Sequence, residues 1–317
     1  MKYLDFMTRT DPRTRTYRTF NWPILFICLF MLVGPLHALH ENAAPGPEAD
    51  PLGERTAGSQ LTLFPAADPF RALLASVKEP RTHMTWQRLH IKEGDFNVGS
   101  VGFGESFGLF RWTAPENRYA LQVGISGAVF AQFNLDAASM DLINADYIVG
   151  FPVTYRRGRW SGRMRLFHQS SHLGDEFLLF PQAIAVERIN LSFEMLEYLG
   201  SFDWRQFRVY GGGGYIVHSD TPLDRYAVQA GMEYASDVRI WKSARLVGGV
   251  DLRWWDETAW DTNLSAKVGL EFLSPVLTGR SLQFLLQYFS GNLPYGQFYD
   301  LKAQYVGVGI TFAFGQR

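Results

Sequence analysis

From Phe167 to Phe177 the chain reads FHQSSHLGDEF. His168 and Ser170 are two residues apart, so on an extended strand they share one face at about 6.5–7 Å. At that spacing an imidazole can approach a serine hydroxyl and take its proton. This is acyl-hydrolase chemistry, with Ser170 as nucleophile and His168 as base. It needs a third side chain to orient the imidazole, and Glu187 and Asn190 follow in the sequence. Two other readings use the same residues. His168, His172, Asp175 and Glu176 are metal-ligand types, but on a strand the two histidines stand ~13 Å apart, too far to chelate one ion. Asp175 and Glu176 remain as carboxylates that could hold Ca²⁺. The plain reading is that these polar residues are the solvated end of a structural strand. A second motif, GESFG at Gly104–Gly108, has the form of a nucleophile elbow. An elbow needs a sharp strand-to-helix turn, and here the motif lies inside an alternating strand with no helix after it, so it reads as a chance match.

The elements that carry these residues have a period of two. In RYALQVGISGAVFAQFN, Tyr119, Leu121, Val123, Ile125, Val129 and Phe133 fall on one face. Gln122, Gly124, Ser126, Gln132 and Asn134 fall on the other. About twelve such strands recur between 81 and 314, the fifth near 160–171 and the sixth near 187–199. Aromatics make up 15% of the chain and glycine contributes 30 residues, which suits a β protein with many turns. The face opposite the apolar one carries ionised groups: Arg163, Arg165, Glu194, Arg208, Glu233, Asp251, Arg253, Lys267 and Glu271. Charges at that density cannot fill a dry core unpaired, but they can line a wet or ion-paired lumen while the apolar face meets lipid. The expected fold is therefore all-β, a transmembrane antiparallel up-and-down barrel of about 12 strands over 81–317. A dozen strands enclose a modest lumen, and pairing of the lumen charges favours a closed or narrow interior over an open pore.

The N-terminus has the form of an export signal. Basic residues from Lys2 to Arg18 precede the apolar run WPILFICLFMLVG, and cleavage is expected after Ala38. Cys28 is the single cysteine and falls within that segment, so no disulfide scaffold is expected. Residues 39–80 read as a periplasmic linker ending in a short helix. Asp68 is its N-cap, Pro69 its first residue and Pro80 its stop. The formal net charge of −1 argues against a nucleic-acid partner.

In the upper register of the fifth strand, Trp160, Gly162, Met164 and Leu166 extend to His168, Ser170 and His172, which puts the pair on the outer wall. In the sixth, Glu187 is assigned the outward register with Ile189, Leu191 and Phe193, while Asn190 takes the lumen register with Ser192 and Glu194. A hairpin pairing Ser170 with Glu187 makes Glu187 the preferred third member and Asn190 its alternative.

Longer stretches carry a family resemblance. LFPAADPFRALLASVKEPR, GFGESFGLFRW, MDLINADYIVGFPVTYRRG, RLFHQSSHLGDEFLL and YGQFY resemble the marks of DUF1207, a bacterial family of unknown function. The resemblance spans roughly Leu63 to Phe314. It implies an envelope protein of Gram-negative bacteria and no assigned activity. Locally, His168-Gln169-Ser170 resembles the His-x-Ser of outer-membrane phospholipase A and the lipid A deacylases, with Ser171-His172 where Asn-Gly follows in the phospholipase. That resemblance implies a lipid esterase on the outer wall. The closing Phe-rich strand resembles the recognition strand of outer-membrane proteins, which implies the barrel-assembly machinery as a partner. The functions carried forward are a structural or narrow-conduit barrel, a lipid-acting serine esterase, and a binder of lipopolysaccharide or a partner through its outer loops. Each places the chain in the outer membrane.

Overall fold

The structure is a computed structural model and describes residues 57–175, 177, 189–240, 243–273 and 281–313. The expected signal segment lies outside them, as do Glu176 and Glu187.

Among the described residues there are thirteen strands: β1 (Gln60–Leu63), β2 (Thr82–Ile91), β3 (Gly94–Thr113), β4 (Ala120–Asn134), β5 (Leu142–Arg157), β6 (Trp160–Leu173), β7 (Ser192–Trp204), β8 (Phe207–Ser219), β9 (Tyr226–Ile240), β10 (Ala244–Trp255), β11 (Asn263–Leu273), β12 (Ser281–Asn292) and β13 (Lys302–Ala313). From β2 to β13 each pairs antiparallel with its sequence neighbour, and β13 pairs back onto β2, which closes a twelve-stranded barrel. Closure leaves every strand of the ring with two neighbours, and so satisfies the backbone where no water is at hand. The alternation decides which way each face points. Phe103, Phe107, Phe151, Leu166, Leu196, Phe284, Leu286, Val306 and Val308 are exposed on the outside. Their neighbours Gly104, Gly108, Pro152, Arg165, Glu197, Gln283 and Gln287 are buried within. A continuous apolar outer face is what a bilayer covers, and the chain crosses as a barrel of strands.

The links differ between the two ends. At one rim the described turns are short, at 114–119, 158–159 and 205–206, and Trp112, Trp160 and Trp204 stand exposed around it. At the other rim lie the longer links 135–141, 174–191 and 293–301. We call these the turn rim and the loop rim.

The interior is filled by the chain itself. β1 and β2 both pair with β3 along one edge, at residues 110–113 and 94–102. Between them residues 64–81 leave the wall and run through the lumen. Here the expected short helix is absent. Asp68 does accept the Phe70 amide at 2.8 Å, as an N-cap would, but the turns that follow are not helical. The backbone finds its partners in the barrel wall instead. Arg111 donates to the Ala67 carbonyl, Arg156 to Pro69 at 3.3 Å, Arg208 to Arg71 at 2.8 Å and Ser265 to Ala75 at 2.7 Å. The Leu74 amide donates to Glu233 at 2.6 Å. Once wall side chains satisfy the carbonyls, the helical ladder has nothing left to contribute.

The inner segment also brings charges that the wall lacks. Glu79 takes Arg163 at 2.5 Å, Arg71 takes Asp203 at 2.6 Å, and Lys78 pairs with Asp146. Phe70, Leu73, Leu199 and Tyr210 form an apolar cluster beside them. Arg208 lies over the Phe70 ring at 4.4 Å. With the lower lumen filled this way, the native chain in a planar bilayer is expected to show no steady conductance; uniform conductance steps from the unmodified protein would contradict this packing.

Candidate functional site

β6 keeps one register along its length. Trp160, Met164 and Leu166 point out, Arg163, Arg165 and Phe167 point in, and His168, Ser170 and His172 continue the outward set. Ser170 and His168 lie three and five residues from the end of β6, close under the loop rim. Beside and below them the outer wall is apolar, with Val149, across from His168, and Leu166 and Leu196 exposed. The pair therefore stands where the apolar belt gives way to polar surface.

The register of β7 differs from the expected one and changes the site. β7 begins at Ser192, and Ser170 pairs with Ser192 while His168 pairs with Glu194. Phe193, Met195, Glu197 and Leu199 point inward; Ser192, Glu194, Leu196 and Tyr198 point out. Glu194, expected among the lumen charges, is on the outer wall. Its carboxylate meets His168 Nδ1 at 2.8 Å. Glu187, expected as the orienting acid, lies outside the described residues, and Ser192 takes the position across from Ser170 that it was given. Asn190 precedes β7 and donates to Asp220 at 3.1 Å, so its amide is engaged away from His168.

The cause of the misassignment is visible in the residues. Leu191, Phe193 and Met195 are apolar and face inward near the loop rim, while Ser192 and Glu194 are polar and face out. Below them Leu196 and Tyr198 restore the apolar-out rule. Within one strand the polarity of the two faces inverts, and a rule of apolar-out alternation then selects the wrong set.

Glu194 serves two imidazoles. His218 on β8 meets its second oxygen through Nδ1 at 3.0 Å. A carboxylate only accepts, so each Nδ1 carries a hydrogen, and in the neutral ring His168 Nε2 is the acceptor. That is the tautomer a general base needs. Ser170 lies across from Tyr147 of β5 on its other side. Among the described residues no hydrogen bond joins Ser170 Oγ to His168. His218 was not singled out from sequence; only the β7–β8 pairing brings it to Glu194.

The other expected residues fall as follows. His172 packs edge-on to Tyr147, with ring centroids 5.7 Å apart. Asp175 is exposed at the start of the 174–191 link. Among the described residues no three histidine, cysteine or acidic side chains come together to hold a metal ion. Ser106 of the GESFG match lies within β3, with no turn at the serine. Arg163, Arg165, Arg208, Glu233, Asp251, Arg253, Lys267 and Glu271 are in the lumen register. Their partners include acids not anticipated for the purpose: Glu197 takes Arg163 at 3.2 Å, Arg165 at 3.1 Å and Arg253 at 3.7 Å. Arg208 pairs with Glu233 at 3.3 Å, and Arg245 with Glu271 at 2.7 Å.

Among solved structures, the chain is similar to outer membrane phospholipase A from Escherichia coli, at 16% identity over 77% of this chain and 92% of that one, with a TM-score of 0.48. It is also similar to the β domain of the Bordetella autotransporter BrkA, at 11% identity over 74% and 98%, TM-score 0.41. The KdgM porin, at 10% identity over 73% and 99%, has a TM-score of 0.39. The curated proteins contain no match to the chain. Residues 55–314 match the model of a family described as "Protein of unknown function (DUF1207)", and the chain belongs to that family.

Proposed function

We propose that this barrel is a lipid-acting serine acyl hydrolase of the outer membrane, with its site on the outer wall just below the loop rim. The observation that carries the reading is the Glu194 carboxylate on His168 Nδ1 at 2.8 Å, with Ser170 two residues along the same outward face. In the proposed reaction Ser170 Oγ bonds to an ester carbonyl carbon as its proton passes to His168 Nε2. The proton then goes to the departing alcohol as the ester C–O bond breaks. Water, activated by the same imidazole, releases the acyl group as a carboxylate. Glu194 holds the ring and its tautomer and stabilises the imidazolium. The depth of the site supports a lipid substrate. Ester bonds of a bilayer lipid lie between headgroup and acyl chain, and His168 and Ser170 lie where the outer wall passes from apolar to polar. A lipid lying against Leu166 and Leu196 would bring its ester to that level.

A serine-directed sulfonyl fluoride tests this reading. Intact-mass and peptide analysis is expected to find one adduct, on Ser170, in the native chain and none in His168→Ala. Absence of the adduct, together with no release of fatty acid from phospholipid or lipid A, would sink the proposal. A second reading, a closed structural barrel without activity, is favoured by one observation: Ser170 Oγ and His168 are not hydrogen-bonded here. Catalytic hydrogen bonds often tighten only with substrate, which is why we place this reading second.

A further inference from the structure

The inversion of polarity on β7 has an inner side. Where His168, Ser170 and Glu194 make the outer wall polar, Phe167, Phe193 and Met195 make the inner wall apolar. Ile148 on β5 and Phe289 on β12 join them around a cavity of about 130 Å³. Val77 and Lys78 of the inner segment close it on one side, and the 293–301 link lines it on another. Phe167, Phe193, Met195 and Ile148 are buried in one apolar cluster with Leu191 and Ile216, which gives the cavity beside them an apolar wall.

The charged part of the lining is undersupplied with acceptors. Arg165 is 4% exposed. Its Nη2 reaches Glu197 at 3.1 Å, but Nε and Nη1 are buried with no partner among the described residues. Glu197 is already divided among three guanidiniums. Of the other ionised groups on the lining, Lys78 is committed to Asp146, and Asp251 Oδ2 accepts from Tyr210 at 2.6 Å and Gln229 at 2.7 Å. Arg253 reaches Glu197 at 3.7 Å and donates to Gln229 Oε1 at 3.4 Å, both long contacts. A buried guanidinium with unused N–H groups requires an oxygen acceptor, and an anionic one most strongly.

We propose that this cavity binds a single-chain amphiphilic carboxylate, its head on Arg165 with Arg253 near by, its tail against Phe167, Phe193 and Phe289. A volume of about 130 Å³ is on the scale of a cavity that takes benzene, so it admits a short chain of roughly six carbons and no long-chain or two-chain lipid, and the apolar wall selects against a small polar anion. The inference does not depend on hydrolase activity, because its residues face the opposite side of the wall from His168 and Ser170.

Trp255 lines the cavity and provides the signal. The native chain, held in phospholipid nanodiscs to keep detergent out, is titrated with hexanoate while tryptophan fluorescence is recorded. A saturable change is expected, and it is expected to vanish in Trp255→Phe. Hexanol, with the same tail and no charge, is expected to bind about ten-fold more weakly or worse, as loss of a charge-assisted hydrogen bond implies. Arg165→Gln is expected to weaken hexanoate by a similar factor and leave hexanol unchanged. Ile148→Phe, which fills the cavity and keeps the ion pairs, is expected to abolish binding of both, and it decides the matter if Arg165→Gln does not fold. No saturable signal in the native chain, equal binding of acid and alcohol, or unchanged binding in Ile148→Phe would each overturn the proposal.

Discussion

Replacing Ser170 by alanine is expected to lower fatty-acid release from phospholipid or lipid A by about 10⁶-fold, the scale set by removing the nucleophile from a catalytic set that works as a unit. Folding should survive the change, because Ser170 faces outward and its hydroxyl has no partner among the described residues. A heat-modifiable band in detergent gels checks that. His168→Ala should fall to the same level. Glu194 supplies the sharper comparison. Glu194→Ala removes the acceptor at 2.8 Å that fixes the imidazole, and a loss of about 10⁴-fold is the precedent for losing the correct tautomer. Glu187→Ala should leave the rate near native, since Glu194 already fills the orienting role. His218→Ala should also leave it within a few-fold, because His218 uses the other carboxylate oxygen and lies two strands from Ser170. If Glu187→Ala silences the enzyme and Glu194→Ala does not, the β6–β7 register described above is wrong in solution.

The second large effect concerns stability. Arg163→Met is expected to cost about 3–5 kcal/mol, the usual result of removing one partner from a buried ion pair. Arg163 is 7% exposed and serves Glu79 of the inner segment and Glu197 of the wall. Without it Glu79 is left buried, among the described residues, with the more distant Arg165 as its nearest compensating cation, and the inner segment loses its firmest tie to β6. Arg88 and Asp95 make the control. They stand 3.5 Å apart with side chains 43% and 49% exposed, and Arg88→Met should cost less than about 1 kcal/mol. Urea unfolding in detergent micelles measures both. Arg163→Met combined with Glu79→Met should recover part of the loss, because the uncompensated charge goes with its partner. Equal midpoints for Arg163→Met and Arg88→Met would show that the interior pairs are hydrated and the lumen is not closed by residues 64–81.

Much of the barrel was legible because its signal is local. A period of two over ten to sixteen residues, repeated with charges on one face, admits a membrane barrel and little else. The direction of β6 followed from its own residues, and with it the outward placing of His168 and Ser170. The inner segment was misread for a physical reason. Asp68, Pro69 and Pro80 are sound helix boundaries, and nothing in the local sequence tells that Arg111, Arg156, Arg208 and Ser265, drawn from four distant strands, will bind its carbonyls.

By itself the sequence determined the fold class, the outward face of β6 and the presence of lumen charges, since each depends on neighbours one or two residues apart. The tertiary structure alone decided the register of β7, and so the choice of Glu194 over Glu187. It decided that His218 shares that carboxylate, and that the inner segment runs through the lumen with its carbonyls bound to the wall. Strand pairing across an eighteen-residue link is set by which faces can be buried on both sides of the wall at once. Near the loop rim that balance places apolar Phe193 and Met195 inside and polar Glu194 outside, a choice that only the assembled barrel can make.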